Sequence, residues 1–398
     1  MTAVLMLGVL ISGMAGALPV VASNDYAYPI GYAGHLLCIP VLLFLMFTNS
    51  DFGRCLGWQR PIVFLDKVCI HQTDHAMQRL GIERLGAFLC HSSSFLVLYT
   101  DLYLQRLWTV YELASFVALH PMERMTFMPV GLGTVMVMTV VVIQLSNCVV
   151  ILLYFSVQMN FIVHLFTWAF AFTSMLIFRW WGRALGRMKL RFDDFRLDQC
   201  LCTREEDRPM VHRNIVRLMK ATGRVPTDVS DQAALCSFEV LVRTSVRDTA
   251  RARIGNIGLR FDHVIFEMAV MVYPRLIDTL AGVGHGMPFR EGLVHCAVAS
   301  IYVWSLCPQQ LAALSIIART RLDLKGYRNH VYAGGLFFLW TIPTLLEMFV
   351  LEQLRARALV SDAWLAVSIG WLCLGSFASR KIFSGTQLLR THSRRHRR

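Results

Sequence analysis

Apolar residues run along this chain in blocks of two lengths. The long blocks exceed what a buried helix needs. Residues 1–24, 26–50, 125–178 and 292–318 contain no Asp, Glu, Lys or Arg. They predict membrane spans near 3–22 and 31–48 and a hairpin of spans near 130–153 and 161–178. The polar stretch Ser156-Val-Gln-Met-Asn160 divides the hairpin. As one helix, 125–178 would reach about 80 Å, against a hydrocarbon layer of about 30 Å. The chain is therefore expected to return to the side it left, so that 51–124 and 179–290 share a compartment. Two further spans are predicted at 331–351 and 358–379. The run 292–318 is interrupted by Pro308-Gln-Gln310. It reads as a re-entrant element bent at the proline or as one kinked helix. Residues 1–24 have a signal peptide as their alternative, although they lack a basic leading region.

The short blocks lie between residues 60 and 120. Ile62-Val-Phe-Leu-Asp66 reads as a buried strand ending on a carboxylate, and Phe95-Leu-Val-Leu-Tyr99 as a second. Apolar positions between Met77 and Cys90 recur at helical spacing. A second helix is expected over 102–118, with Leu104, Leu107, Trp108, Tyr111 and Ala114 on one face. Strand, helix, strand and helix with short connections predict a parallel α/β layer in which 62–66 and 95–99 are neighbours. In 179–290 the pattern gives one helix after Glu205-Glu-Asp-Arg-Pro209, ended by Gly223, and another over about 231–249, capped by Ser230.

Composition narrows the class. The chain is 55% hydrophobic and 16% charged, whereas soluble domains carry about 25% charged residues. The expected fold is an α-helical multi-pass membrane protein with an inserted cytoplasmic α/β lobe of flavodoxin-like parallel sheet. Its parts are the N-terminal spans 1–50, the α/β segment 51–124, the hairpin 125–178 and a basic, mainly helical segment 179–290. A C-terminal membrane region 291–379 and a polybasic tail 380–398 complete it. The net charge of +13 suits basic cytoplasmic loops. No nucleic-acid-binding motif accompanies it, so the lipid bilayer is an expected partner and nucleic acid is not. Eleven cysteines, several within apolar runs, suggest reduced thiols.

Ser94-Phe-Leu-Val-Leu-Tyr-Thr-Asp-Leu-Tyr103 followed by Arg106-Leu-Trp-Thr-Val-Tyr-Glu-Leu113 resembles the second half of a Toll/interleukin receptor (TIR) domain. That family has a strand, a serine-rich turn, a tyrosine and a Trp-Cys-x-x-Glu-Leu helix. Trp108, Glu112 and Leu113 match, and Thr109 stands at the cysteine position. The segment from Phe64-Leu-Asp66 to Arg106-Leu-Trp108 also resembles multi-pass proteins of unicellular algae and dinoflagellates. The likeness covers roughly sixty residues. Only Asp51 to Arg60 separates the first strand from the second span, so the leading strand–helix unit of a TIR domain is missing or much reduced.

The resemblance implies a signalling or assembly lobe that engages a protein partner or a second copy of itself. It also implies an alternative, cleavage of the nicotinamide–ribose bond of NAD. There Glu112 is the catalytic carboxylate and Trp108, Tyr111, Asp66 and Tyr103 are binding residues, with NAD as substrate and no resident cofactor. A transporter or channel is a further alternative, suggested by Glu347 and Asp362 in the last spans. No metal site is expected. His71, His75 and His91, with Asp66, Asp74 and Cys69, read as polar loop residues. Cys200-Leu-Cys202, His212 and Cys236 do not have standard zinc spacing. Arg243, Arg247, Arg251 and Arg253 read as a lipid-facing stripe or a solvated helix face.

Overall fold

The computed structural model describes residues 20–21, 30–31, 62–71, 73–157, 160–255, 258–320 and 323–384. The expected spans near 3–22 and 31–48, the signal-peptide alternative and most of the tail 380–398 lie outside these residues. The chain divides into two compact units. Arg60–Gly133 with Arg183–Gly258 forms an α/β lobe. Met1–Gln59, Thr134–Gly182 and Leu259–Arg398 form a helical unit.

In chain order the elements begin with β1 (Val20–Val21) and β2 (Ile30–Gly31), paired antiparallel. The lobe opens with α1 (Asp66–Cys69), α2 (His75–Glu83) and α3 (Leu85–His91). Then come β3 (Phe95–Tyr99), α4 (Leu107–Leu119) and β4 (Met125–Pro129). The long helices α5 (Val130–Val157) and α6 (Asn160–Asp193) follow. After them come α7 (Arg208–Ala221), α8 (Asp231–Leu241) and α9 (Arg247–Ile254). The remainder is α10 (Phe261–Gly284), α11 (Phe289–Ile301), α12 (Cys307–Ala318), α13 (Gly326–Val360) and α14 (Asp362–Ser384).

The lobe contains a parallel pair, but one unit later than the sequence predicts. β3 pairs with β4, in the register Phe95↔Met125 to Tyr99↔Pro129. With α4 as the crossover this is a βαβ unit. Residues 62–65 form no strand, and Asp66 begins the short helix α1 instead. The cause is local. Leu65 O accepts from the N–H groups of Val68 and Cys69, and the Asp66 carboxylate favours a helix N-terminus. Residues 125–129, expected at the start of a span, alternate as a strand. Met125, Phe127 and Pro129 point inward, while Thr126 and Met128 are exposed. A charge-free run does not by itself separate such a strand from a span.

Helix α4 is enclosed on nearly every side. Leu107, Val110, Leu113, Phe116 and Val117 have no accessible surface, and Tyr111, Ala114 and Ala118 are nearly as buried. The single apolar face expected from the sequence is therefore an underestimate. Helix α3 packs on one side and α7 on another. The hydrophobic core runs without interruption from Leu85–Phe127 into Met188–Ile254. The two segments on either side of the long helices thus form one lobe and not two. Ring contacts of Phe192 with Tyr99 (5.7 Å) and Phe127 (6.2 Å) lie at that junction. So does a short bridge in which Leu107 N–H donates to Leu201 O and Leu201 N–H to Gln105 O.

Local signals place the lobe's helices. Asp74 caps α2 through the N–H groups of Ala76 and Met77. Gly81 lets Ile70 approach closely, since a Cβ there would lie 2.8 Å from Ile70 Cγ2. Helix α7 ends at Ala221, and Gly223 adopts φ 67° just beyond it, as its position predicts. Ser230 Oγ accepts from Ala233 N–H at the start of α8. Of the four arginines read as a lipid-facing stripe or a solvated helix face, three have partners within the lobe. Arg243 donates to Phe195 O and Glu239, Arg247 to Asp193, and Arg253 to Glu123 O.

In the helical unit, Phe289–Ala318 is one continuous helical run with a π turn at Tyr302–Leu306. Pro308 sits just after the π turn, in the first turn of α12, where its missing N–H is tolerated. Residues 264–274 belong to the longer helix α10, which contains Pro274. That helix falls in the helical unit and not in the basic segment. Two helical runs, Phe289–Ala318 and Asp362–Phe383, are long and apolar enough to cross a membrane. Exposed Val367, Ile369, Leu374 and Phe377 line the second, and Phe338, Leu339, Ile342 and Leu346 are exposed on α13. Arg179, fully buried on α6, donates to Ala318 O, Thr320 O and Asn329 Oδ1. It satisfies carbonyls at the C-terminal end of α12, where a cation is favourable.

Candidate functional site

The five residues singled out by the sequence gather around the first half of α4. Glu112 lies on the second turn and is partly buried. No hydrogen bond or ion pair engages its carboxylate among the described residues. Trp108, one turn earlier, packs against the core, and its ring meets that of Tyr111 edge-on at 5.9 Å. Tyr103 is buried in a 3₁₀ turn before the helix. Asp66 is exposed at the start of α1.

The local fold explains this arrangement. Arg106 takes an extended conformation between the 3₁₀ turn and α4. Thr109 Oγ1 donates back to Tyr103 O and Arg106 O. Thr109 therefore fixes the helix entry. His120 Nε2 lies 2.9 Å from Leu89 O and Arg224 donates to Val117 O, so α4 is held at its far end too. The glutamate stands on a rigid helix.

The electrostatics tie three of the five together. Burial raises the Glu112 carboxyl from 4.5 to about 7, and the negative charge of Asp66 adds to the rise. Burial also pushes the Tyr103 phenol well up, with Glu112 contributing. Among the described residues the Tyr103 hydroxyl is buried without a hydrogen-bond partner. A protonated Glu112 can donate a proton near neutral pH, and an ionised one can stabilise a developing cation.

Other candidate groups have structural employment. His71 Nδ1 accepts from Asp74 N–H. Cys200 is buried against Leu104 O, and burial pushes its thiol up to about 12. Among the described residues no three His, Cys, Asp or Glu side chains are placed to hold a metal ion. Sequence reasoning missed a second polar group, formed by Asp101, Gln105, Arg187, Arg191 and Arg196 around a cavity. The four-residue spacing of Arg183, Arg187 and Arg191 was its only sequence signal.

Compared with protein-family models, with curated proteins and with solved structures, the chain finds no match.

Glu112→Gln tests the electrostatic account. The raised carboxyl means that the folded lobe holds this proton more tightly than the unfolded chain. The associated stability is complete below the unfolded value of 4.5 and is lost as pH rises through about 7. The variant is expected to unfold like the native chain at about pH 4. At about pH 8 it should be more stable by about 2–3 kcal/mol. Thermal unfolding in detergent at the two pH values reads this, and equal effects at both would contradict it.

Proposed function

We propose that this protein is a multi-pass membrane protein whose α/β lobe is an assembly module that associates with a second copy of itself. The observation that carries this reading is the outer face of the β3–β4 sheet. Leu96, Leu98 and Met128 are exposed there, with no layer over them among the described residues. Parallel sheets are normally covered on both faces, and two strands alone make a marginal sheet. A second copy offers the same apolar face, and an isologous pair would cover both. Tethering to a bilayer raises the local concentration of lobes and favours such pairing.

Support for the membrane part comes from the two spanning-length helices and from exposed large apolar residues on α13 and α14. Contiguous apolar surface of that kind marks contact with lipid or protein. The signalling character of the lobe rests on its TIR resemblance.

Leu98→Asp is expected to convert the full chain from dimer to monomer in detergent, read by light scattering, while the monomer keeps its fold because the side chain is exposed in a single copy. A native chain that stays monomeric at every concentration, or a Leu98→Asp chain that still dimerises, would refute the assembly reading.

A second reading is favoured by one observation, the raised pKa of Glu112. In it the lobe cleaves the glycosidic bond of NAD, with Glu112 beside the developing oxocarbenium ion and Trp108 and Tyr111 as binding surface. The full chain would then release nicotinamide from NAD, and Glu112→Ala would abolish release while the lobe stayed folded. The assembly reading expects no release from either chain.

A further inference from the structure

A cavity of about 600 Å³ opens in the α/β lobe at the carboxyl end of β3. Its charged lining is Asp101, Arg187, Arg191, Asp194 and Arg196, with Gln105 and Gln199 beside them. None of these belongs to the Glu112 group. The volume is in the usual range for small-molecule sites. In open α/β layers ligands characteristically sit beyond the carboxyl ends of the strands, which is where residues 101–105 leave β3.

The charges are unevenly paired. Arg187 Nε donates to Asp101 Oδ2 at 2.9 Å. Arg196 reaches Asp198 at 3.3 Å, with both side chains more than half exposed. No carboxylate pairs with Arg191 among the described residues. Its neighbour is the side-chain amide of Gln105, which, turned with its oxygen toward the guanidinium, accepts from Nη1 and Nη2 at 2.7 Å and from Nε at 3.1 Å. That partner is neutral, so it leaves the positive charge of Arg191 uncompensated, and a guanidinium has five N–H groups to offer.

Two further observations point the same way. Among the described residues the Tyr99 hydroxyl is buried without a hydrogen-bond partner, on a residue only 3% exposed. Its electrostatic neighbours are Asp101 and Arg191, both in the cavity wall. Arg187 and Arg191 also share one helix face with Arg183, at four-residue spacing. Of these, Arg187 already has Asp101 beside it, so the charge left for an added anion is that of Arg191.

We propose that this cavity binds a phosphorylated ligand, with Arg191 as its principal donor and Arg187 and Arg196 flanking it. The guanidinium fork matches phosphate oxygens two at a time, and three arginines face two aspartates in the lining. The phosphate can belong to a free metabolite or to a lipid headgroup. The lipid source rests on the membrane reading above, whereas the site does not rest on self-association.

The test is equilibrium dialysis of inorganic pyrophosphate against the full chain in phosphatidylcholine nanodiscs. Saturable binding is expected. Arg191→Gln should weaken it about tenfold or more. Arg217→Gln, at an exposed arginine of α7, should leave it unchanged. If Arg191→Gln lowers thermal stability, Arg196→Gln supplies the same comparison from an exposed side chain. A second set of discs contains a minor fraction of phosphatidylinositol 4-phosphate. Weaker pyrophosphate binding in those discs, for the native chain alone, identifies a headgroup as the occupant. Identical binding in both discs identifies a free phosphate compound. No saturable binding in phosphatidylcholine discs, or binding that neither Arg191→Gln nor Arg196→Gln weakens, would overturn the proposal.

Discussion

The enclosure of α4 is the constraint on which the lobe depends. Leu107–Leu119 is apolar on almost every face, and such a helix is stable in water only when it is surrounded. Each fully buried Leu, Val or Phe contributes about 1.5–3 kcal/mol, but only if every face finds a cover. The segment before the long helices covers one side with α3 and the β3–β4 sheet. The segment after them covers the rest with α7 and the residues around Phe192, Phe195 and Phe238. Neither segment alone encloses the helix. The chain must leave the lobe through α5 and return through α6, so the path of the long helices and the lobe's core are one problem.

Arginines fasten that core from outside. Arg208 donates to Cys200 O, Arg224 to Val117 O and Arg243 to Phe195 O, each holding a backbone carbonyl that the secondary structure leaves unused. Hydrogen bonds from charged donors contribute about 1.5–3 kcal/mol. Much of the positive charge in the second segment is thus structural. The arginines around the cavity differ because their partners are exposed carboxylates or a neutral amide. They form the part of the lobe best suited to a ligand that the chain itself does not supply.

Much of this could be read from the sequence, and the failures have physical causes. The helices α7 and α8, the Gly223 stop and the Ser230 cap followed from local chemistry, which does not depend on distant residues. The strand at 95–99 showed as a short apolar run set off by Ser92-Ser-Ser94 before it and Thr100-Asp101 after it. Its partner did not, because Met125–Pro129 merges with the apolar run of α5, and hydropathy does not divide one from the other. The expected strand at 62–66 failed for a local reason, the turn in which Leu65 O accepts from the N–H groups of Val68 and Cys69 and Asp66 opens a helix. The Glu112 group was legible through a resemblance carried by nearby residues. The arginine cavity was not, since Asp101 and Arg191 lie far apart in sequence and meet only through the shared core.

The central claim is that residues on either side of the long helices form one core. Thr249 Oγ1 and Met122 Sδ lie 3.8 Å apart across that junction. The direct measurement introduces Met122→Cys and Thr249→Cys, with a protease site between residues 158 and 159, into the full chain in native membranes. After oxidation and cleavage the two fragments should remain joined on a non-reducing gel and separate on reduction. Fragments that separate without reduction, with the two cysteines labelled from opposite faces of the membrane, would contradict the shared core.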